Sequence, residues 1–227
     1  MTPSASETVV IRPIPRFKRV MDFALATIGL VVFAVVFPFL AFLVRVDSKG
    51  PVLYKAQRVG RGGRVFTMYK LRTMIADAEN SLEGLRDQNL GGKYMIKIPN
   101  DPRVTRVGRW LRNTGLDELP QLINVLRGEM SVIGPRPQAP DEVALYTAKQ
   151  RRRLEVRPGI TGLWQVTARN NPSFDEWVRL DLEYIDSRSL ALDLSILFRT
   201  AIVMLRREDL EVRMQTAERS DQSGRAK

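Results

Sequence analysis

The longest apolar run of the chain lies close to its N-terminus. Residues 23–44 carry no charge over 22 positions, and a helix needs about 20 apolar residues to cross the hydrocarbon core of a bilayer. A helix in a soluble core is seldom apolar on every face, and the apolar core of a cleaved signal peptide spans only about 7–15 residues. The pattern therefore predicts a membrane helix that stays in the mature chain.

The flanks of this run leave its topology open. Cations lie on both sides, at Arg12, Arg16, Lys18 and Arg19 before it and at Arg45 and Lys49 after it. Cations favour the cytoplasmic side of a membrane, and Pro38 can kink a helix. A bent helix over residues 17–45 that enters and leaves by one face therefore satisfies both flanks, whereas hydropathy alone favours a simple transmembrane anchor.

Shorter patterns after the membrane segment predict a hairpin, two helices and one further strand. The β-rich runs VLYKAQRV and RVFTMYKL flank a glycine-rich turn within residues 52–71, which is typical of a hairpin. Arginines recur every third residue from 103 to 112, so they lie near one helix face. From Leu119 an apolar i, i+3, i+4, i+7 stripe predicts a helix that ends at Gly128, and residues 131–133 are β-like.

Two further segments bear on the membrane. Six cations and no acid occur from Lys55 to Arg72, and beside a membrane anchor we expect such a run to contact lipid head groups. Residues 190–205 hold only two charges, so this segment either lies on a bilayer surface or packs in the core of the domain.

Composition narrows the chemistry that is available. The 227 residues include no Cys and no His, which excludes disulfides, thiolate nucleophiles, cysteine zinc sites and imidazole general bases. Catalysis must then use carboxylates, Lys or Arg, hydroxyls, or a hard cation held by oxygen ligands. The net charge of +11 implies a polyanionic partner, namely nucleic acid, an anionic membrane face or a phosphate-bearing substrate.

The adjacent acids Asp117 and Glu118 are the candidate reactive groups. They stand at the start of a predicted helix, where an acid suits the helix dipole, and Thr114 lies three residues before Asp117 as in a capping box. Position alone favours this capping role. The functional alternative is that one carboxylate is a nucleophile or cation ligand while neighbouring arginines hold phosphates.

Two arginines beside prolines are candidate phosphate ligands. Arg136 stands between Pro135 and Pro137, which restrict its backbone on both sides, and such rigidity suits an arginine that must meet a phosphate. Arg157 precedes a Pro-Gly turn, whose backbone N–H groups can form an anion-binding nest.

Several motifs in order closely resemble one family. Lys18-Arg19 and Asp22 before the apolar run, then YKLRTM, LDELPQLINVLRGEMSVIGPRP and VRPGITGLWQV, resemble the bacterial sugar transferases, the monotopic polyprenyl-phosphate phosphoglycosyl transferases. The resemblance covers about residues 16–207. It implies transfer of a sugar 1-phosphate from a UDP-sugar to polyprenol (undecaprenyl) phosphate, with release of UMP and with Mg²⁺, as the first membrane step of a polysaccharide or glycoconjugate pathway.

The resemblance also assigns roles to residues. Asp117 matches the nucleophile that forms a phosphosugar–aspartyl intermediate, and its carboxylate is the expected Mg²⁺ ligand. Glu118 matches its catalytic partner, which either positions the metal or assists the acceptor. Phosphate contacts are expected from Lys70, Arg72, Arg112, Pro135, Arg136, Arg157 and Asp181, and the membrane anchor is expected to include Lys18, Arg19, Asp22 and Pro38.

Together these observations predict a mostly helical α+β fold. It has an N-terminal re-entrant membrane helix, interfacial amphipathic helices and a small cytoplasmic globular domain with a short β-hairpin, on the cytoplasmic face of the bacterial inner membrane. The expected divisions are a flexible N-terminus (1–15), the membrane helix (16–46), the catalytic domain (47–207) and a polar tail (208–227). The chain resembles the minimal catalytic form of the family, but Phe37-Pro38 replaces the Ser-Pro pair that often breaks the helix.

Two rival functions stay open at this stage. A membrane-anchored adaptor that binds anionic lipid or nucleic acid explains the charge and the anchor, but it gives Asp117-Glu118 no role. A hydrolase of the same substrates differs by releasing UMP without a lipid acceptor. The expected partners are a UDP-sugar, polyprenol phosphate and the lipid bilayer, with no nucleic acid. The sugar is undetermined, and a homodimer is one option for the oligomeric state.

Overall fold

The computed structural model describes residues 9–81, 83–89, 98–169, 171 and 173–205. Eight α-helices and four short strands make up most of this described part. The helices are α1 Arg16–Asp47, α2 Arg106–Thr114, α3 Leu122–Arg127, α4 Pro140–Ala144, α5 Ala148–Arg151, α6 Leu163–Thr167, α7 Phe174–Ser187 and α8 Leu190–Leu205. The strands are β1 Leu53–Val59, β2 Val65–Leu71, β3 Ser131–Ile133 and β4 Gly159–Thr161. Short 3-10 helices cover Arg61–Gly63, Glu83–Gln88, Leu116–Gln121 and Arg152–Glu155. The mostly helical α+β class is confirmed.

Strands β1 and β2 form the predicted antiparallel hairpin. Their register runs from Leu53 opposite Leu71 to Val59 opposite Val65, and the 3-10 helix Arg61–Gly63 makes the turn. Ala56 and Met68 lie directly opposite each other and are both buried in the main core. The hairpin therefore packs one of its faces against the helical part of the domain.

Strands β3 and β4 form a second, parallel pair in which two glycines permit close contact. Ser131 pairs with Gly159 and Ile133 with Thr161. A Cβ on Gly134 would lie 2.5 Å from the carbonyl oxygen of Arg157, and a Cβ on Gly159 would lie 2.1 Å from the nitrogen of Gly134. The loop after β3 therefore lies backbone to backbone against the turn that leads into β4.

Helix α1 is long and apolar enough to cross a membrane by length and composition, and it is continuous through Pro38. One side of it is buried against the domain along its whole length, at Lys18, Asp22, Ala26, Phe33, Leu40 and Val44. The other side exposes large apolar residues, among them Val35, Phe39 and Phe42. A bend at Pro38 stays a prediction.

Buried polar contacts fix the N-terminal half of α1 to the domain. Asp22 Oδ1 accepts hydrogen bonds from Ser131 Oγ (2.8 Å) and from the backbone N–H of Val132 (2.9 Å). Lys18 Nζ lies 3.0 Å from Asp193 Oδ2 on α8. The Arg19 guanidinium donates to the carbonyls of Val125 and Leu126, at 3.1 and 3.3 Å. These three anchor residues hold the helix on the protein.

The C-terminal end of α1 is held in the same way. Asp47 Oδ2 accepts the N–H of Val107 at 2.8 Å, at the start of α2. The buried Arg72 guanidinium donates to the carbonyls of Ser48 (2.6 Å), Lys49 (2.5 Å) and Val44 (3.4 Å). A cation suits this position because the last carbonyls of a helix carry partial negative charge. Both ends of the apolar helix are therefore attached to one domain.

Helix α8 packs in the core of the domain on one side, which is one of the two alternatives left open for residues 190–205, and contact of its other side with a bilayer stays a prediction. Its inner side is buried at Asp193 and Ile196, whereas its outer side exposes an apolar stripe formed by Leu190, Leu194 and Phe198. The main core lies between α8, α7 and α6, where the rings of Trp164 and Trp177 stack at 4.1 Å.

The segment before α1 is attached to the domain from residue 9 onward. Arg12 forms ion pairs with Glu155 and Asp186, both at 2.7 Å, and Val9 packs against a small cluster around Val59. Residues 9–15 therefore contact the domain, and the flexible N-terminus expected over 1–15 stays a prediction. Residues 1–8 and the predicted tail 208–227 lie outside the described part.

We predict that replacing Asp22 with alanine destabilises the protein. The change leaves the Ser131 hydroxyl and the Val132 N–H buried without their acceptor, at a cost of about 2–4 kcal/mol, or roughly 5–10 °C in melting temperature for a chain of this size. Thermal unfolding in detergent micelles measures it. Asp22→Asn keeps one oxygen acceptor, so its melting temperature should fall by less than that of Asp22→Ala. Equal melting temperatures for wild type and Asp22→Ala would contradict the docking role.

Candidate active site

The two adjacent acids lie on the 3-10 helix Leu116–Gln121, which we call the acidic helix. Gly115, at φ +71°, ends α2 and turns the chain into the acidic helix. The predicted capping box is wrong, because the Thr114 hydroxyl donates to the carbonyls of Trp110 and Leu111 instead. Asp117 therefore has no capping partner in Thr114.

Glu118 is ion-paired with two cations from other elements. Its Oε1 accepts from Lys70 Nζ on β2 at 2.9 Å and from Arg136 Nη1 in the loop after β3 at 3.0 Å. Burial alone would raise the pKa of Glu118, but Lys70 and Arg136 outweigh it and lower the pKa well below its usual range. Glu118 is therefore ionised and keeps both cations beside Asp117.

Asp117 is buried, with 6% of its surface exposed, and no described residue donates a hydrogen bond to its carboxylate. Burial, aided by the charge of Glu118, raises the pKa of Asp117 to about 6, although Lys70 lowers it in part. At neutral pH the group is an anion with little hydration and with no hydrogen-bond donor in the described part of the chain. Such a carboxylate can act as a nucleophile or as a ligand of a cation.

Arg112 extends the positive charge around Asp117 from the last turn of α2. Its Nε donates to Thr73 Oγ1 at 2.9 Å, and its charge lowers the pKa of Asp117. The single helix predicted for the four arginines is shorter than expected. Arg103 precedes α2, and it is ion-paired with Asp101 at 2.7 Å.

A buried arginine that the sequence analysis missed supports the loop of Arg136. Arg153 Nη2 donates to the carbonyl of Arg136 at 3.1 Å, and Nε pairs with Asp181 Oδ2 at 2.8 Å. Its Nη1 also donates to the hydroxyl of Tyr146. Asp181, expected among the phosphate contacts, therefore lies behind the loop, where it pairs with Arg153. The carbonyl of Pro135 accepts the N–H of Gly159 at 2.9 Å, which fixes the loop further.

Other predicted site residues lie elsewhere. Arg72 contacts the end of α1, as described above. Arg157 lies beside Gly128 and Arg19, and its buried Nη1 has no hydrogen-bond partner among the described residues. The cation run 55–72 is also divided, since Arg61 donates to the carbonyl of Arg12. Arg61, Lys70 and Arg72 of that run all contact protein groups, and the lipid contacts expected for the run stay a prediction.

The side chains near Asp117 show which residue fits the expected Mg²⁺. Within the described ranges, no group of three or more His, Cys, Asp or Glu residues is arranged to hold a metal ion. Mg²⁺ is usually bound by one or two carboxylates together with substrate phosphates and waters. Since Glu118 already contacts two cations, Asp117 is the carboxylate that fits a cation shared with a phosphate substrate.

Comparison with known proteins gives consistent matches. The family described as bacterial sugar transferase matches residues 14–207. The galactosyl transferase CpsE of Streptococcus agalactiae serotype III is 45% identical over 189 residues, which are 83% of this chain and 42% of that protein. The undecaprenyl-phosphate galactose phosphotransferase of Salmonella typhimurium is 42% identical over 195 residues, covering 84% of this chain and 41% of that protein.

A shorter relative is covered almost completely. The exopolysaccharide production protein ExoY of Rhizobium meliloti is 42% identical over 199 residues, covering 86% of this chain and 88% of that protein. By contrast, the chain spans about two fifths of the length of the first two relatives.

We predict that Asp117→Asn raises the melting temperature at about pH 7.5. The folded state binds the Asp117 proton more tightly than the unfolded state, so stability falls as pH rises from the ordinary value of 3.8 to about 6. Neutral asparagine removes this penalty of about 2–3 kcal/mol. Thermal unfolding measures the gain, which should shrink toward pH 4.

The matched control is Glu118→Gln, which should act in the opposite direction. The pKa of Glu118 is lowered, so its ionised form contributes stability above its unfolded pKa, and this stability is lost as pH falls. The amide should therefore lower the melting temperature at about pH 7.5. A lower melting temperature for Asp117→Asn as well would show that the Asp117 charge stabilises the fold.

Proposed function

The chain belongs to the bacterial sugar transferase family, and on this basis we propose that it is a membrane-bound phosphoglycosyl transferase. It moves a sugar 1-phosphate from a UDP-sugar to polyprenol phosphate and releases UMP. The observation that carries the proposal is the buried Asp117 carboxylate, which accepts no hydrogen bond from the described residues and stands beside an ion-paired Glu118. Relatives named as undecaprenyl-phosphate galactose and glucose phosphotransferases support this acceptor.

In the first half-reaction a carboxylate oxygen of Asp117 attacks the β-phosphorus of the UDP-sugar. The bond from that phosphorus to the bridging oxygen breaks, and the electron pair leaves with UMP. Phosphoryl transfer depends mainly on positioning and on neutralising charge. Lys70, Arg112 and Arg136 supply that neutralisation, because their cationic groups surround the acidic helix.

In the second half-reaction an oxygen of polyprenol phosphate attacks the same phosphorus and restores the Asp117 carboxylate. The acceptor is already anionic, so the step needs no general base, and the chain has no His. Glu118 keeps Lys70 and Arg136 in place through both steps, because both cations donate to its Oε1. Its proposed role is therefore to position the phosphate-binding cations.

Magnesium, when bound, would supply positive charge that lets an anionic carboxylate approach a diphosphate. Asp117 is the residue that would hold it, because its oxygens have no hydrogen-bond donor among the described residues. The surrounding arginines then complete the neutralisation of the diphosphate.

We also propose that both ends of α1 lie on the cytoplasmic side of the inner membrane. The flanking cations alone are weak support, because Arg12, Lys18 and Arg19 all contact protein groups. Stronger support comes from the contacts of Asp22 and Asp47, which attach the two ends of the apolar segment to one charged domain. A straight spanning helix would separate these ends by the thickness of the hydrocarbon core.

We predict that incubating the wild type with a UDP-sugar and Mg²⁺, without lipid, gives a stoichiometric phosphosugar adduct. Intact mass and peptide mapping should assign it to the peptide that contains Asp117, with one UMP released per protein. A panel of UDP-sugars then identifies the donor. Adding polyprenol phosphate should discharge the adduct and start turnover, whereas a hydrolase would turn over without lipid.

Asp117→Asn and Glu118→Gln are the paired variants. Asparagine is neutral and a poor nucleophile, so Asp117→Asn should form no adduct. Glu118→Gln should form the adduct more slowly, because it weakens the hold on Lys70 and Arg136. Near-normal UMP release by a folded Asp117→Asn protein would eliminate the covalent mechanism.

We predict that single cysteines on both sides of α1 react only from the cytoplasmic side. Because the chain has no Cys, Val10→Cys and Lys49→Cys can each be labelled without background, and Glu183→Cys serves as the domain reference. An impermeant thiol reagent should label none of them in intact cells and all three in inverted membrane vesicles. Labelling of Val10→Cys alone in intact cells would mean that α1 spans the membrane.

A further inference from the structure

Arg58 lies on the same face of the hairpin as the site residue Lys70. In the register of β1 and β2, Tyr54 is opposite Lys70 and Arg58 is opposite Phe66. Directly opposite residues share a face, as do residues two and four apart along one strand. Four strand residues span about 13 Å, so Arg58 and Lys70 stand toward opposite ends of one face.

The loop of Arg136 connects these two ends. The N–H of Val59, next to Arg58, donates to the carbonyl of Gln138 at 2.9 Å. Two residues earlier in the loop, the Arg136 side chain meets Lys70 at Glu118. Arg58, Arg136 and Lys70 thus form a series that ends at the acidic helix, and we call it the cation row.

Arg58 has no ion pair with a carboxylate in the described part of the chain, and its hydrogen bond goes to the carbonyl of its neighbour Gln57 at 3.0 Å. Burial lowers the pKa of Arg58; Glu142 opposes this effect, and the charge of Arg136 adds to it. The half-buried guanidinium has therefore lost part of its hydration, and both the acid Glu142 and the cation Arg136 are near enough to shift its pKa. An anion bound between Arg58 and Arg136 would offset the lost hydration and the charge of Arg136.

The geometry of the reaction indicates which anion this is. In an in-line displacement the leaving oxygen lies on the side of the phosphorus opposite the attacking group. With Asp117 attacking, the phosphate that departs lies farther from the acidic helix than the phosphate that is attacked. Within the cation row, Arg58 is the member farthest from the acidic helix.

We propose that Arg58, together with Arg136, binds the phosphate of the uridine monophosphate half of the donor. This inference rests on the proposed function and adds a substrate-binding residue to it. Arg58 holds the group that accepts the electron pair when the bond between the β-phosphorus and the bridging oxygen breaks. Lys70 then contacts the β-phosphate, which is the phosphate that Asp117 attacks.

The direct test is binding of UMP to the purified protein in detergent micelles, measured by titration calorimetry. Arg58→Gln should raise the dissociation constant by about 10- to 150-fold, the range for one charge-assisted contact. Lys55→Gln is the matched control, because it removes the same charge from an exposed residue on the other face of β1, and it should change binding less than twofold. An unchanged dissociation constant in Arg58→Gln would overturn the proposal.

The two half-reactions separate this role from an acceptor site. Arg58→Gln should need more UDP-sugar to reach half-maximal adduct formation, by a factor similar to the UMP effect. After prolonged loading, its adduct should pass to polyprenol phosphate within about twofold of the wild-type rate. A raised KM for polyprenol phosphate with normal UMP binding would assign Arg58 to the acceptor and refute the proposal.

A second variant and the wild type complete the test. If Arg58→Gln unfolds, Arg58→Lys keeps the charge but loses the planar fork, and it should weaken UMP binding by a smaller factor; wild-type affinity in Arg58→Lys would refute the proposal. If the wild type forms the adduct normally and the Arg58 variants bind UMP as tightly as the wild type, only this inference is refuted. Absence of any adduct in the wild type removes the proposed function as well.

Discussion

The attachment of α1 at both of its ends is the constraint on which the rest of the structure depends. A carboxylate near each end, Asp22 and Asp47, accepts a backbone N–H group from the globular domain. Between these points Phe33 lies in the same apolar cluster as Leu116 and Leu119 of the acidic helix. The acidic helix, which carries Asp117 and Glu118, therefore packs against the middle of α1, the helix that is long and apolar enough to cross a membrane.

The second organising feature is that two neighbouring acids have opposite surroundings. Glu118 has two cations on one oxygen, whereas Asp117 has none within hydrogen-bond distance among the described residues. The surroundings therefore distinguish the two acids: Lys70 and Arg136 hold Glu118 in its ionised form, whereas burial raises the pKa of Asp117. The loop of Arg136 is itself held from behind by Arg153 and Asp181.

Local pattern was sufficient for much of the fold, and the family resemblance for the centre of the site. The two β-rich runs and the glycine-rich turn in residues 52–71 predicted the hairpin, and the resemblance singled out Asp117, Glu118 and Arg136. What the sequence did not reveal are contacts between distant segments. YKLRTM holds Lys70 and Arg72 two positions apart, yet one reaches Glu118 and the other the end of α1. Arg153 sits in a basic run, where no local signal distinguishes a buried support from a solvated cation.

The close approach of Gly134 and Gly159 has a consequence for how this chain can vary. Each Cβ would collide with backbone atoms of the facing segment, at 2.5 Å and 2.1 Å respectively. Backbone cannot move aside as a flexible side chain can, so even alanine would force the two segments apart and displace the neighbouring Arg136. In a randomised library these two positions should tolerate glycine alone, although neither contributes a side chain to the chemistry. At these two positions, substitutions are therefore excluded by steric clash with the facing backbone and not by any role in the chemistry.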